Sequence, residues 1–150
     1  MFKKIGLLCA LLIILLSVDV FAAGSCSNSM VKESGLRIIS FNWTSDGSGD
    51  VSGVGSVTKI TGVIMGVLFI PNSTDQPTNL YDVTILNSGG ADVLHGVGVD
   101  LPQATTDTGA YRTPFTTDGG VVVLNNETLE IKVQHAGSAK KGKIFLILNG

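Results

Sequence analysis

Cysteine and histidine are scarce in this 150-residue chain, at two each, and tryptophan occurs once. Proline appears four times, and only 15% of the residues are charged. Each shortage closes off a class of chemistry. There is no CxxC pair, no HExxH pair and no GxSxG elbow, so the usual signatures of thiol redox, zinc hydrolysis and serine hydrolysis are missing. The formal charge is −2, and eight of the ten basic residues lie scattered beyond the first four positions. No basic patch is set up to neutralise phosphates, so a nucleic-acid partner is not expected. With 44% hydrophobic residues the chain is too apolar for disorder, and with 19 glycines it is a poor candidate for a helical bundle.

What is present begins with a segment unlike the rest. MFKK is basic, Ile5 to Val18 is an apolar run broken only by small residues, and Asp19 precedes VFAAG. The run falls short of the roughly 18 to 20 residues that span a bilayer comfortably. Its order matches a secretory signal peptide over residues 1–22, cleaved after Ala22 or Ala23; an uncleaved anchor is the alternative. The expected destination is outside the cytoplasm: periplasmic, extracellular or envelope-associated. No membrane span is expected after cleavage. Cys9 leaves with the signal, so Cys26 has no partner for an internal disulfide. AAGSC loosely resembles a lipobox, although Ala23 sits where a bulky aliphatic is usual and Asp19 interrupts the apolar approach. Cys26 is thus either acylated or a free or dimer-forming thiol, within a flexible leader over residues 23–34.

Residues 35–150 read as one all-β domain, dominated by period-two alternation. In RIISFNWT, Ile39, Phe41 and Trp43 share one face and Ser40, Asn42 and Thr44 the other. SDGSGDVSG is a turn-rich loop. SVTKITGVIMGVLFIP exceeds ordinary strand length, which predicts two strands or one bent at a glycine bulge near Gly62 or Gly66. YRTPFT reads as a short edge strand, VVVL as a buried strand, NN as a tight turn, LEIKVQH as an alternating strand and KIFLILN as a strand buried on both faces. About eight short strands predict an antiparallel β-sandwich of jelly-roll type. Its core is expected to contain Ile39, Phe41, Trp43, Val83, Ile85, Ile131, Val133, Phe145 and Ile147.

NLYDVTILNSGGADVLHG gathers Tyr81, Asp82, Asp92 and His95 in one stretch. It parses as a strand, a glycine loop over residues 87–91 and a return strand from Asp92, so a decorated hairpin is favoured over a site. His135 shares parity with Leu129, Ile131 and Val133, which predicts a strand-end histidine at the core rim. A zinc site on His95 and His135 would need carboxylates converging from other strands. Asp46 to Asp50 places oxygen donors at alternate positions, as calcium loops do. The glycine and glutamate of an EF-hand are replaced by Val51 and Val57, so an exposed turn is expected. The eight aspartates after the signal sit in turns and at strand ends, as solvated carboxylates do rather than a glycosidase pair. NWT, NST and NET are glycosylation sequons that matter only in a eukaryotic secretory route. No catalytic, cofactor-binding or metal-binding residue is assigned, no cofactor is expected, and the chain is expected not to be an enzyme.

Three blocks carry a resemblance: FNWTSDGSGDVSG, LYDVTILNSGGADVLHG and TLEIKVQHAGSAKKGKIFLIL. Together they resemble small β-sandwich proteins encoded among tailed-phage and prophage structural genes. Pro77, Thr78, Leu80 to Thr84, Asp92 to Leu94 and Gly96 match the middle block, and Ala136, Gly137, Lys140 and Gly142 the last. The resemblance spans Phe41 to Leu148 and implies a virion-associated structural protein, acting through protein partners or self-assembly, with no active residues carried over. A secreted or envelope-attached binding module, glycan-binding or adhesin-like, is the alternative. Only Trp43, Tyr81 and Tyr111 could supply an aromatic platform for it, and parity points the first two inward.

Overall fold

A computed structural model describes residues 23–103, 110–114 and 119–150. The expected signal peptide over residues 1–22 lies outside the described residues, as does the end of the strand expected at YRTPFT. The strands are β1 (Ser25–Glu33), β2 (Leu36–Thr44), β3 (Val51–Pro71), β4 (Asp82–Leu86), β5 (Ala110–Arg112), β6 (Val123–Gln134) and β7 (Lys141–Asn149). All pair antiparallel, in one sheet of order β1-β2-β7-β3-β6-β4, with β5 joining the second half of β3. The all-β class predicted by the alternation is what the chain adopts. Among the described residues there are seven strands in one hydrogen-bonded sheet, where strand spacing leads to about eight in two.

The long strand explains the difference. β3 runs for 21 residues. Its first half pairs with β6, from Val51 opposite Val133 to Val63 opposite Val123. Its second half pairs with β7, from Val63 opposite Asn149 to Pro71 opposite Gly142. One strand therefore serves both halves of the sheet, as the bent-strand reading of SVTKITGVIMGVLFIP expects. Register slips along the first half and again between Ile64 and Gly66, while Gly53, Gly55, Lys59 and Gly62 take positive φ. Bulges of this kind add twist, and glycine reaches positive φ without a Cβ penalty. The sheet curls until β1 meets the first half of β3, where Asn28 Nδ2 donates to the backbone O of Ser56 at 3.1 Å.

Inward residues form one core. Ile39, Phe41 and Trp43 of β2, Val83 and Ile85 of β4, and Leu129, Ile131 and Val133 of β6 are all buried, as their parity requires. Burial of each such side chain is worth about 1.5–3 kcal/mol.

Several local expectations are corrected. Residues 23–34, expected as a flexible leader, form β1 from Ser25, because a two-residue turn at Ser34 (φ 49°) and Gly35 (φ 83°) folds Glu33 opposite Leu36. NN is not a turn: β6 continues through it, with Asn126 at φ 55° forming a bulge and its N–H donating to Thr61 Oγ1 at 2.9 Å. VVVL is not buried throughout, since Val121 and Val123 are exposed while Val122 and Leu124 are inside. In β7 the buried set is Ile144, Leu146 and Leu148; Phe145 and Ile147, expected in the core, lie half-buried on the opposite face. A run apolar on both faces carries no parity signal, so that strand could not be phased from its own residues.

Candidate functional site

The stretch from Tyr81 to His95 does not converge. Tyr81 is 2% exposed, its ring centroid lies 5.9 Å from that of Trp43, and burial raises its hydroxyl pKa above the usual value. The return strand expected from Asp92 is instead a succession of turns, broken by positive φ at His95, Gly96 and Asp100. It still follows β4 back, through bridges between Leu86 and Asp92 and between Tyr81 and Leu101. Asp92 holds it in place: its carboxylate accepts from the N–H groups of Ile85 at 3.2 Å, Leu94 at 3.0 Å and Gly96 at 3.0 Å. His95 points into solvent. Asp82 accepts from Asp100 N at 2.9 Å through Oδ1, and its Oδ2 lies 3.1 Å from Nδ1 of His135. The hairpin expected here therefore keeps only its first strand, β4.

His135 departs from its expected place at the core rim. Its φ of 60° ends the alternation of β6, and the side chain is 71% exposed. The turn it opens packs against the loop after β2, where Ala136 N donates to Gly49 O at 2.9 Å and Ser45 Oγ to Gly137 O at 2.6 Å. In that loop Asp46 Oδ1 accepts from Ser48 N at 2.8 Å and Asp50 N at 2.9 Å, and Asp50 Oδ1 accepts from His135 N at 3.3 Å. These oxygens tie the turn together. Among the described residues no three His, Cys, Asp or Glu side chains group as a metal site.

The outward face of β1, β2, β7 and the second half of β3 is organised differently. Strand register sets its side chains in cross-strand rows. One row aligns Val31, Ile38 and Ile147 with Gly66, over which Tyr111 lies, its hydroxyl donating to Met65 O at 3.1 Å. The next aligns Ser29, Ser40, Phe145, Leu68 and Tyr111, the two serine hydroxyls being 2.8 Å apart. A third aligns Ser27, Asn42, Lys143 and Ile70, and a fourth Ser25, Thr44 and Lys141. The face is therefore apolar at one end and polar and cationic at the other. Val31 and Tyr111 are 55% and 57% exposed, so the apolar end is open to solvent.

At the polar end the loop after β3 rises beside the sheet and encloses a cleft of about 720 Å³. Asn72 Oδ1 accepts from the N–H groups of Thr74 at 2.9 Å and Asp75 at 2.8 Å, which shapes the loop. Three contacts fasten it to the start of β7: Asn72 N to Lys141 O at 3.0 Å, Lys141 N to Asp75 O at 2.9 Å, and Lys141 Nζ to Asp75 Oδ2 at 2.7 Å. That pairing holds the Asp75 carboxyl below its ordinary pKa, the hydrogen bond from Lys141 being the largest cause. The cleft floor is Phe145 and Ile70, and its walls carry Asn42, Thr44, Ser27 and Gln76. Among the described residues, Lys141 and Lys143 line it and no carboxylate does. Lys143 makes no ion pair among the described residues.

Sequence reasoning missed Lys141, Lys143 and Phe145. The signal is the alternation in KGKIF, which puts those three on one face, whereas a strand reading that starts at Lys143 and buries KIFLILN on both faces hides it. Cys26, in β1, packs half-buried beside Gly55, and burial pushes its thiol up to about 11. No helix among the described residues is long and apolar enough to cross a membrane. In comparisons with known proteins, no family model, no curated protein and no solved structure matches this chain.

Proposed function

We propose that this chain is a non-enzymatic structural or interaction protein, virion-associated or phage-derived, which acts after export by assembly or attachment. The observation that carries the reading is the outward face: Val31, Ile38, Ile147, Phe145, Leu68 and Tyr111 sit in adjacent rows of a rigid sheet and remain partly open to solvent. A contiguous apolar patch rimmed by polar residues is the surface property that marks a protein-binding face. The rim is provided by Ser29, Ser40 and Asn42. The resemblance of the three sequence blocks to phage structural proteins agrees with such a role.

The test is co-purification of the tagged full chain from its host, with particles and envelope fractions separated and analysed by mass spectrometry. The reading expects the chain in particles or envelope, and expects Ile38→Asp to release it into the soluble fraction. A chain found only as a free monomer, unaffected by Ile38→Asp, would overturn it.

The polar cleft on the same face favours a second reading, that of an attachment module that binds glycan. Its neutral hydrogen-bonding side chains above an aromatic floor are what sugar hydroxyls and ring C–H groups require.

A further inference from the structure

We infer that the cleft between the loop over residues 72–76 and the outward face of β2 and β7 binds a saccharide bearing carboxylate groups, with Lys143 as the residue that selects the charge. The inference rests on the glycan-binding reading above and narrows it to one ligand class.

Three features of the cleft support it together. The first is charge. The whole chain is formally −2, yet among the described residues the cleft is lined by two lysines and no acidic residue. The two lysines are not equivalent. Lys141 is engaged by Asp75 at 2.7 Å, so its role is to fasten the wall. Lys143, one row further in, has no such partner among the described residues and stands beside Asn42 and Ile70. Lys143 is solvent-exposed, and an ammonium without an anion at the edge of a cleft is a point attractor for a carboxylate, its pull weakened by water and salt.

The second feature is the neutral lining. Ser27, Asn42 and Thr44 present hydroxyl and amide groups at a spacing fixed by the β1–β2 register, and Gln76 faces them from the loop. Each can both donate and accept, as a polyhydroxylated ligand demands. The third is the floor, where the half-buried Phe145 ring and Ile70 supply apolar surface for the C–H face of a sugar. Three contacts to Lys141 hold the wall in place. A pre-formed site avoids the entropy of ordering a loop on binding. At about 720 Å³ the cleft has room for a short oligosaccharide.

The experiment is isothermal titration of the folded chain, residues 23–150 within the full protein, with trigalacturonate and with neutral maltotriose. Trigalacturonate should bind, maltotriose at least tenfold more weakly, and the trigalacturonate affinity should fall as salt rises. Lys143→Gln should abolish the preference, Lys143→Arg should keep it, and Lys59→Gln, outside the cleft, should change nothing. Far-UV circular dichroism confirms that each variant is folded. Equal binding of both sugars, or a preference that survives Lys143→Gln, would overturn the carboxylate inference and leave glycan binding standing. Failure of both sugars to bind the wild-type chain would overturn the two together.

Discussion

The carboxylate of Asp82 lies 3.1 Å from the imidazole of His135, which joins the start of β4 to the turn that follows β6. The pair is exposed on the histidine side, and pairs of that kind contribute about 0–1 kcal/mol. A neighbouring aspartate matters more. Asp92 accepts three backbone N–H groups and so fixes the segment that covers the edge of β4. Urea unfolding should show Asp92→Ala destabilised by about 1–3 kcal/mol, since those donors lose their acceptor. His95→Ala, in the same segment but in solvent, should stay within about 0.5 kcal/mol. A larger loss at His95 than at Asp92 would mean that the order of importance is wrong.

Trp43 is the keystone of the inward face. It is 3% exposed, packs beside Tyr81 and lies so close to Gly142 that a Cβ there would come within 2.6 Å of its indole. Trp43→Ala should cost about 3–5 kcal/mol. Gly142→Ala should also destabilise, by about 1–3 kcal/mol, because the ring must move. Denaturant titrations of the two variants check both values, and a loss under about 1 kcal/mol at Trp43 would contradict its burial.

How far the sequence was legible follows from which strands had a polar face. In β2, β4 and β6 the alternation of Asn42, Asp82 or Lys132 with apolar neighbours phased the strand, and the inward residues were found. In β7 only the start, KGK, alternates clearly; the run IFLIL gave no phase, so Phe145 and Ile147 were misplaced and the cationic row went unseen. β1 was missed because SCSNSMVKE is polar and small, with too few inward residues to mark a strand. It is held by pairing with β2, with only Cys26 packed against the core and Asn28 hydrogen-bonded to β3. The cleft was invisible because it depends on register between four chain segments, which single-strand patterns do not contain.

Acid should loosen the loop after β2. The Asp46 carboxyl is held below its ordinary pKa, chiefly by the hydrogen bond from Asp50 N, with Ser48 and Gly49 adding to it. Its folded pKa lies below the unfolded value, so the contribution is present above that unfolded value, about 4, and is lost as pH falls through the folded pKa. Amide exchange of Ser48 and Asp50 should accelerate on acidification below about pH 4, beyond the trend of the other turns. Asp46→Asn should remove that response. An unchanged profile in the variant would assign the acid sensitivity elsewhere.

Cys26 should be a slow thiol. Burial raises its pKa to about 11 and its side chain packs beside Gly55, so little thiolate exists at neutral pH. Iodoacetamide at pH 8 should label the folded chain at least tenfold more slowly than the urea-unfolded chain. Labelling at equal rates would show that β1 is not docked as described.

The central claim is that the outward face of β1, β2, β7 and β3 is where this protein meets its partner. A photo-crosslinking amino acid placed at Ile38 or Tyr111, in the full chain expressed in its host, tests that most directly, with Thr58 on the first half of β3 as the control position. The account predicts a discrete crosslinked polypeptide, a second copy or another protein, from Ile38 and Tyr111 and none from Thr58. Crosslinks from Thr58 alone, or none from any position, would contradict it.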